Sequence, residues 1–206
     1  IPRTPDGALQ HLDALVAKPD DPLHAAAAII QGSAVRTRDG GYTLSVVNAP
    51  WCDGCVFALN PDPSVPVTAA MPVNRGLVEL DRLVKAAQPL PDSGAQADGA
   101  YIDSYEFWAN SMDYDRAHYA GVDIPLVFDA QSHNVGVLTV FSTFAFQREL
   151  ARRMHELGKL TMANSAFANY DICAPGIDVL GTETNWMPGG KWQPMPDQDL
   201  CFRRAL

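Results

Sequence analysis

The chain is short of almost everything that marks the commonest functional classes. It has no uninterrupted apolar run near the roughly 18 residues of a membrane span; Ala25–Ile30 is too brief and is closed by Gln31-Gly32. Basic residues are scarce, 15 Lys and Arg against 24 Asp and Glu, for a net charge of −9. Nucleic acids and anionic membrane surfaces both demand basic patches, so neither is an expected partner. Four cysteines in 206 residues do not make a disulfide scaffold. No Gly-x-Gly-x-x-Gly or Walker-type loop supports a dinucleotide or phosphate site, and no cofactor is expected. Gly-x-Ser-x-Gly is missing too, which weakens an esterase reading, and no His-Glu-x-x-His offers a zinc site. There is no internal repeat and no low-complexity tract. The chain opens Ile1-Pro2 without an initiator Met or a signal-peptide pattern, so a processed form or a fragment is expected.

What is present is a globular composition, 47% hydrophobic and 19% charged, in a length that suggests one domain over residues 1–206. Leu9, Leu12, Leu15 and Val16 predict a helix over Gly7–Ala17, ended by Lys-Pro-Asp-Asp-Pro; a short helix follows near His24–Gln31. Asp39-Gly40-Gly41 is a turn before the β-forming run Tyr42–Val47. After a Pro-rich loop, Asn48–Asn74, the residues Leu77, Leu80, Leu83 and Val84 predict an amphipathic helix stopping before Pro89. Gly99–Ser104 reads as a strand. A second long loop, rich in Asp and His, leads to a helix over Ser142–Leu157, with His155 in its last turn and Gly158 at its end. Strands are expected at Lys159–Ala163 and Ile177–Gly181, and a last helix at Asp197–Leu206.

Strands alternating with helices predict an α/β fold of parallel βα units. Ligands then gather at the carboxyl ends of the strands. Four such ends carry polar groups, often with an aromatic beside them: Asn48 with Trp51, Asp103 with Glu106 and Trp108, Asn164 with Ser165, and Glu183 with Asn185 and Trp186. Two carboxylates and an indole at one rim suit sugar chemistry. Carboxylates supply nucleophile and acid/base, and an aromatic face covers the apolar face of a pyranose. The simpler reading of each is structural: acidic residues in a helix's first turn, and tryptophans packed in the core.

Two other constellations compete. Asn48-Ala-Pro-Trp-Cys-Asp-Gly-Cys55 resembles the thioredoxin active-site segment, in which a helix start lowers the first thiol's pKa. The sequence then departs from that family, because Cys55–Leu59 is barely a turn before Asn60-Pro-Asp-Pro63. Cys52 and Cys55 could equally form a local disulfide or remain inert thiols. Asp113, Asp115, His118, Asp123, Asp129 and His133 offer oxygen and imidazole groups that could hold a divalent ion. Asp-rich loops are usually just solvated, and no metal is assigned.

Asp98-Gly-Ala-Tyr-Ile-Asp-Ser104 and Ile177-Asp-Val-Leu-Gly-Thr-Glu-Thr-Asn-Trp186, with Gly158-Lys-Leu-Thr-Met-Ala-Asn164 between them, resemble the retaining α-glycosidases of the α-glucosidase and α-galactosidase superfamily. The resemblance covers about residues 95–206. It implies a TIM-type (β/α)₈ barrel, here incomplete because only four clear strands are counted against eight. It implies Asp103 as nucleophile at the fourth strand and Glu183 as acid/base at the sixth, with Glu106 in reserve. Asn48, Asn164 and Asn185 would then bind sugar hydroxyls, while Trp51, Trp108 and Trp186 line the substrate. The expected function is a hydrolase that cleaves a glycosidic bond with retention. Its rivals are a non-catalytic carbohydrate-binding module and a thiol–disulfide oxidoreductase using Cys52 and Cys55. A partial barrel leaves sheet edges open to self-association, and a polysaccharide-directed enzyme favours an extracellular or periplasmic location.

Overall fold

The structure is a computed structural model that describes residues 2–68, 71, 73–103, 111–164, 175–181, 186–194 and 197. The first helix, α1 (Pro5–Val16), starts where Thr4 caps it, its hydroxyl accepting from the Gly7 amide, and Pro5 takes the first-turn position that needs no N–H. It buries Ala8 and Leu12 and packs on α2 (His24–Ser33). Strands β1 (Leu44–Ala49) and β2 (Cys52–Phe57) form an antiparallel hairpin in unbroken register from Leu44 opposite Phe57 to Ala49 opposite Cys52. Helix α3 (Arg75–Ala86) is capped by Asn74, whose side chain accepts from the Leu77 amide.

Strand β3 (Gly99–Ile102) comes next, followed by β4 (Met112–Asp113), the single-turn α4 (Arg116–Tyr119), β5 (Val127–Asp129) and β6 (Asn134–Leu138). Strand β6 runs straight into α5 (Thr139–Glu156). That helix ends in a Schellman turn: Gly158 takes φ +68°, its N–H donates to His155 O, and the Lys159 N–H donates to Met154 O. Strands β7 (Leu160–Ala163) and β8 (Val179–Leu180) complete the order.

The core forms where α3 and α5 lie on one face of a parallel sheet ordered β3-β7-β8. Leu80 and Leu83 from α3, with Phe146, Leu150 and Met154 from α5, close over Ala100, Ile102 and Ala163. The two-residue period of the strands puts the alternate residues on the other face, where Tyr101, Met162 and Val179 stand in one row across the sheet and are exposed. Gly99 permits the first pairing of β3 with β7, because a Cβ there would lie 2.1 Å from Leu160 O. Gly99→Ala is therefore expected to lower stability by about 1–3 kcal/mol. Equilibrium unfolding in urea reads this directly, and an unchanged midpoint would contradict the tight approach.

The expected run of parallel βα units, and with it the incomplete (β/α)₈ barrel, is overturned. Among the described residues only β3, β7 and β8 are parallel; β1-β2 and β4-β6-β5 are two small antiparallel sheets, and five helices accompany them. The strand at Tyr42–Val47 is one arm of a hairpin, because the tight turn at Pro50-Trp51 returns the chain against it. The expected Asn48–Asn74 loop opens with the end of β1 and then β2, and the second expected loop contains β4, α4, β5 and β6. Neighbours joined by a short turn pair antiparallel with little loop-closure cost; β1-β2 and β5-β6 are two such pairings, and with the longer-range β4-β6 pairing they remove the alternation that a barrel requires. The helix expected at Asp197–Leu206 lies, apart from Asp197, outside the described residues. No helix among those described is long and apolar enough to cross a membrane.

Candidate functional site

The parallel sheet brings three chain ends to one rim. Asp103 follows the last residue of β3, Asn164 the last of β7, and Gly181 the last of β8. Backbone bonds keep them in step: the Asn164 N–H donates to Ile102 O at 2.8 Å and the Gly181 N–H donates to Ala163 O at 2.7 Å. Asn164 Nδ2 donates to Asp103 Oδ1 at 3.1 Å across the two strand ends. Tyr101, two residues earlier on the same face of β3, donates its hydroxyl to the same oxygen at 2.9 Å. Asp103 is exposed and Asn164 half-buried, so a carboxylate that accepts from these two neutral donors among the described residues faces the surface. Gly181 completes the rim, since a Cβ there would sit 3.2 Å from both Ala163 O and Asn164 Oδ1. Tyr101 was missed in the sequence, although its offset of two from Asp103 in a strand was the available signal.

Beyond β8 the chain turns back on itself. Pro188–Gly190 forms a 3₁₀ turn with Gly189 and Gly190 at φ +61° and +76°, and the Gln193 N–H donates to Trp186 O. This brings Trp186 and Trp192 together, ring centroids 5.4 Å apart and planes within 12°. Both indoles remain open to solvent, at 39% and 65% exposure. A stacked pair of exposed tryptophans is a flat apolar platform with N–H groups at its edges.

The remaining candidates separate into two groups. Asn48 and Trp51 sit on the β1-β2 hairpin, Trp51 at its tip and 78% exposed, so neither stands at the end of a parallel strand. Glu106, Trp108, Glu183 and Asn185 lie outside the described residues.

The thiol segment has the wrong secondary structure for a thioredoxin-like centre. Cys52 and Cys55 are both free and lie within β2, with no helix start beside them. Three residues apart in an extended strand they face opposite sides, with Cα atoms about 10 Å apart, beyond the reach of a disulfide.

Three members of the Asp- and His-rich segment, Asp113, Asp115 and His118, are committed to the fold. Asp113 and His118 are fully buried and joined at 2.7 Å between Oδ2 and Nδ1. Asp113 also accepts from the Arg36 and Asp115 amides and from Asn60 Nδ2, while Asp115 caps α4 through the Ala117 amide. Among the described residues no three His, Cys, Asp or Glu side chains converge as metal ligands would. Comparison with family models, with curated proteins and with solved structures finds no match to this chain.

Proposed function

We propose that this chain is a carbohydrate-active hydrolase, or part of one, that cleaves a glycosidic bond with retention, using Asp103 as nucleophile. The observation that carries the reading is the rim itself: an exposed Asp103, oriented by Tyr101 and Asn164, at the carboxyl end of a parallel strand. The resemblance of residues 98–104 and 177–186 to retaining α-glycosidases supplies the second role, with Glu183 as acid/base and Glu106 as its reserve. Asp103 and the segment leading to Glu183 belong to strands two apart, with β7 between them. Adjacent strands are about 4.8 Å apart, so the ends of β3 and β8 stand about 10 Å apart, and the reading requires the two carboxyls to close that gap to the roughly 5–5.5 Å of a retaining pair.

In this reading the Asp103 carboxylate attacks the anomeric carbon while Glu183 gives its proton to the departing oxygen. The glycosidic bond breaks as the ester bond to Asp103 forms. Glu183, now ionised, takes a proton from water; the water oxygen bonds to the anomeric carbon and Asp103 leaves as the carboxylate. Asn164 and Asn185 would hold sugar hydroxyls, with Trp186 as a stacking surface. The test is proton NMR of the first-formed product from a panel of aryl and natural glycosides. Retention of the substrate's anomeric configuration supports the reading; inversion, or no hydrolysis of any member, sinks it.

A second reading, a non-catalytic carbohydrate-binding module, is favoured by the exposed Trp186–Trp192 stack, which needs no carboxylate to grip a sugar face. Saturable binding of the same glycosides without turnover would select it. In either case the thiols stand apart. Cys52→Ser combined with Cys55→Ser is expected to leave sugar hydrolysis or binding within a few-fold of the parent, and its loss in a folded variant would bring the hairpin cysteines into the site.

A further inference from the structure

A cleft of about 300 Å³ opens between α3, α5 and the loops at 62–64 and 123–124, a volume at the lower end of small-molecule sites. The loop at 60–64 is built in from both sides. Asn60 Oδ1 accepts from the Asp62 amide, and Asn74 Nδ2 donates to Asp62 O at 3.1 Å and Val65 O at 2.8 Å. Gly76 admits the loop against the start of α3, because a Cβ there would lie 2.2 Å from Pro61 O.

The Asp62 side chain lining this cleft is fully buried and only half satisfied. Its Oδ1 accepts from the Ser64 amide and hydroxyl; its Oδ2 has no hydrogen-bond partner among the described residues. A buried carboxylate oxygen without a donor is expensive. Burial pushes the Asp62 carboxyl above its ordinary value, against the Ser64 donors and the positive field of Arg148. Asp123 adds a second, exposed carboxylate to the lining.

The other side of the cleft carries the opposite charge. Arg148 is exposed and has no carboxylate partner among the described residues. Its neighbour Glu149 is already balanced by Arg152 and Arg153, and the Arg152 guanidinium holds the Glu149 carboxyl down at about 2. Arg153 is likewise paired with Asp81 and Glu149. The cleft thus presents the Asp62 and Asp123 carboxylates on one side and, on the other, the Arg148 guanidinium, which lies over the Phe144 ring at 5.9 Å and has no carboxylate hydrogen-bonded to it among the described residues, with Leu77, Ile124 and Ala145 as apolar walls.

We infer that this cleft binds a small zwitterion of the α-amino-acid class, its ammonium on Asp123 and drawn towards the buried Asp62 carboxylate, its carboxylate on Arg148, and its side chain against Leu77 and Ile124. A ligand of one sign would satisfy one end and leave the other uncompensated. The site involves none of the rim residues and stands whether or not the chain hydrolyses sugars.

The experiment titrates the full chain by calorimetry with L-leucine and with its two halves, isoamylamine and 4-methylpentanoate, while amide chemical shifts are followed by NMR. L-Leucine is expected to bind with shifts centred on residues 62–64, 123–124 and 148, and each half at least about tenfold more weakly. Arg148→Gln, at an exposed position, should keep the fold and weaken leucine about tenfold or more while leaving isoamylamine unchanged; Asp62→Asn should weaken both. No binding at tens of millimolar, with the shifts unmoved, means that the cleft holds water alone and overturns the inference. So does isoamylamine binding as tightly as leucine, or leucine binding indifferent to Arg148→Gln.

Discussion

Asp113→Ala is expected to destabilise the protein by about 3–5 kcal/mol, the usual result of removing one member of a buried polar pair. The carboxylate is inaccessible to solvent and accepts four donors: the Arg36 amide at 3.1 Å, the Asp115 amide at 3.2 Å, Asn60 Nδ2 at 2.9 Å and His118 Nδ1 at 2.7 Å. Alanine leaves all four without an acceptor where water does not reach. Total stabilities run to about 5–15 kcal/mol, so this single change removes a large share. Asp113→Asn should lie between parent and Ala, since its amide retains an acceptor for the backbone donors but presents N–H groups to Asn60. Combining Asp113→Ala with His118→Ala should cost less than the sum of the two, because the partners share one interaction. Urea denaturation measures each step. A loss for Asp113→Ala under about 1 kcal/mol would show that solvent enters and that the hub does not hold residues 36, 60, 113 and 118 together.

The rim gives the second large effect. Asp103→Asn should reduce turnover of any glycoside by a factor on the order of 10⁴–10⁶, the scale seen when a covalent nucleophile is removed. Asparagine has nearly the same shape, and its amide oxygen can still accept from Tyr101 and Asn164. The fold and ground-state sugar binding should therefore survive, with kcat falling and binding little changed. Asn164→Ala removes one neutral hydrogen bond that orients Asp103, worth about 1 kcal/mol, and should lower kcat by roughly tenfold or less. Glu183→Gln should spare activated aryl glycosides, whose leaving groups need no proton, far more than natural substrates. Activity in a folded Asp103→Asn variant would remove Asp103 from the chemistry. A parent that binds sugars without cleaving them would leave the rim and its tryptophans as a binding surface.

Local signals in the sequence found the elements that obey local rules. Helices α1, α2, α3 and α5 appear within a few residues of their expected bounds, because their apolar spacing, capping residues and the Gly158 stop act over one or two turns. The strands ending at Ile102, Ala163 and Leu180 are short apolar runs bounded by turn residues, and they were legible too. Strand β2 was not. Cys-Asp-Gly-Cys-Val-Phe has a poor strand composition and is extended because six residues of β1 pair with it. Strand β6 contains Gly136, where a Cβ would meet Asp113 O at 2.6 Å; that glycine serves the close approach of β4, a contact remote in sequence.

The same division runs through the sites. By itself the sequence determined that a carboxylate and an amide, Asp103 and Asn164, would stand at strand ends, because a strand's end and the residue after it are local facts. Tertiary structure decided that those two ends are adjacent and hydrogen-bonded, while Asn48 and Trp51 belong to a separate hairpin. It turned Asp113 and His118 from candidate ligands into a buried hub, and it left Asp62 Oδ2 without a hydrogen-bond partner among the described residues, beside an open cleft. Periodicity reports which face of an element is apolar. It does not report which remote segment will cover that face, or whether two strands will meet parallel or antiparallel. Those choices depend on pairings such as 36 with 113 and 60 with 113, whose free energy is gained only after the loops between them have closed.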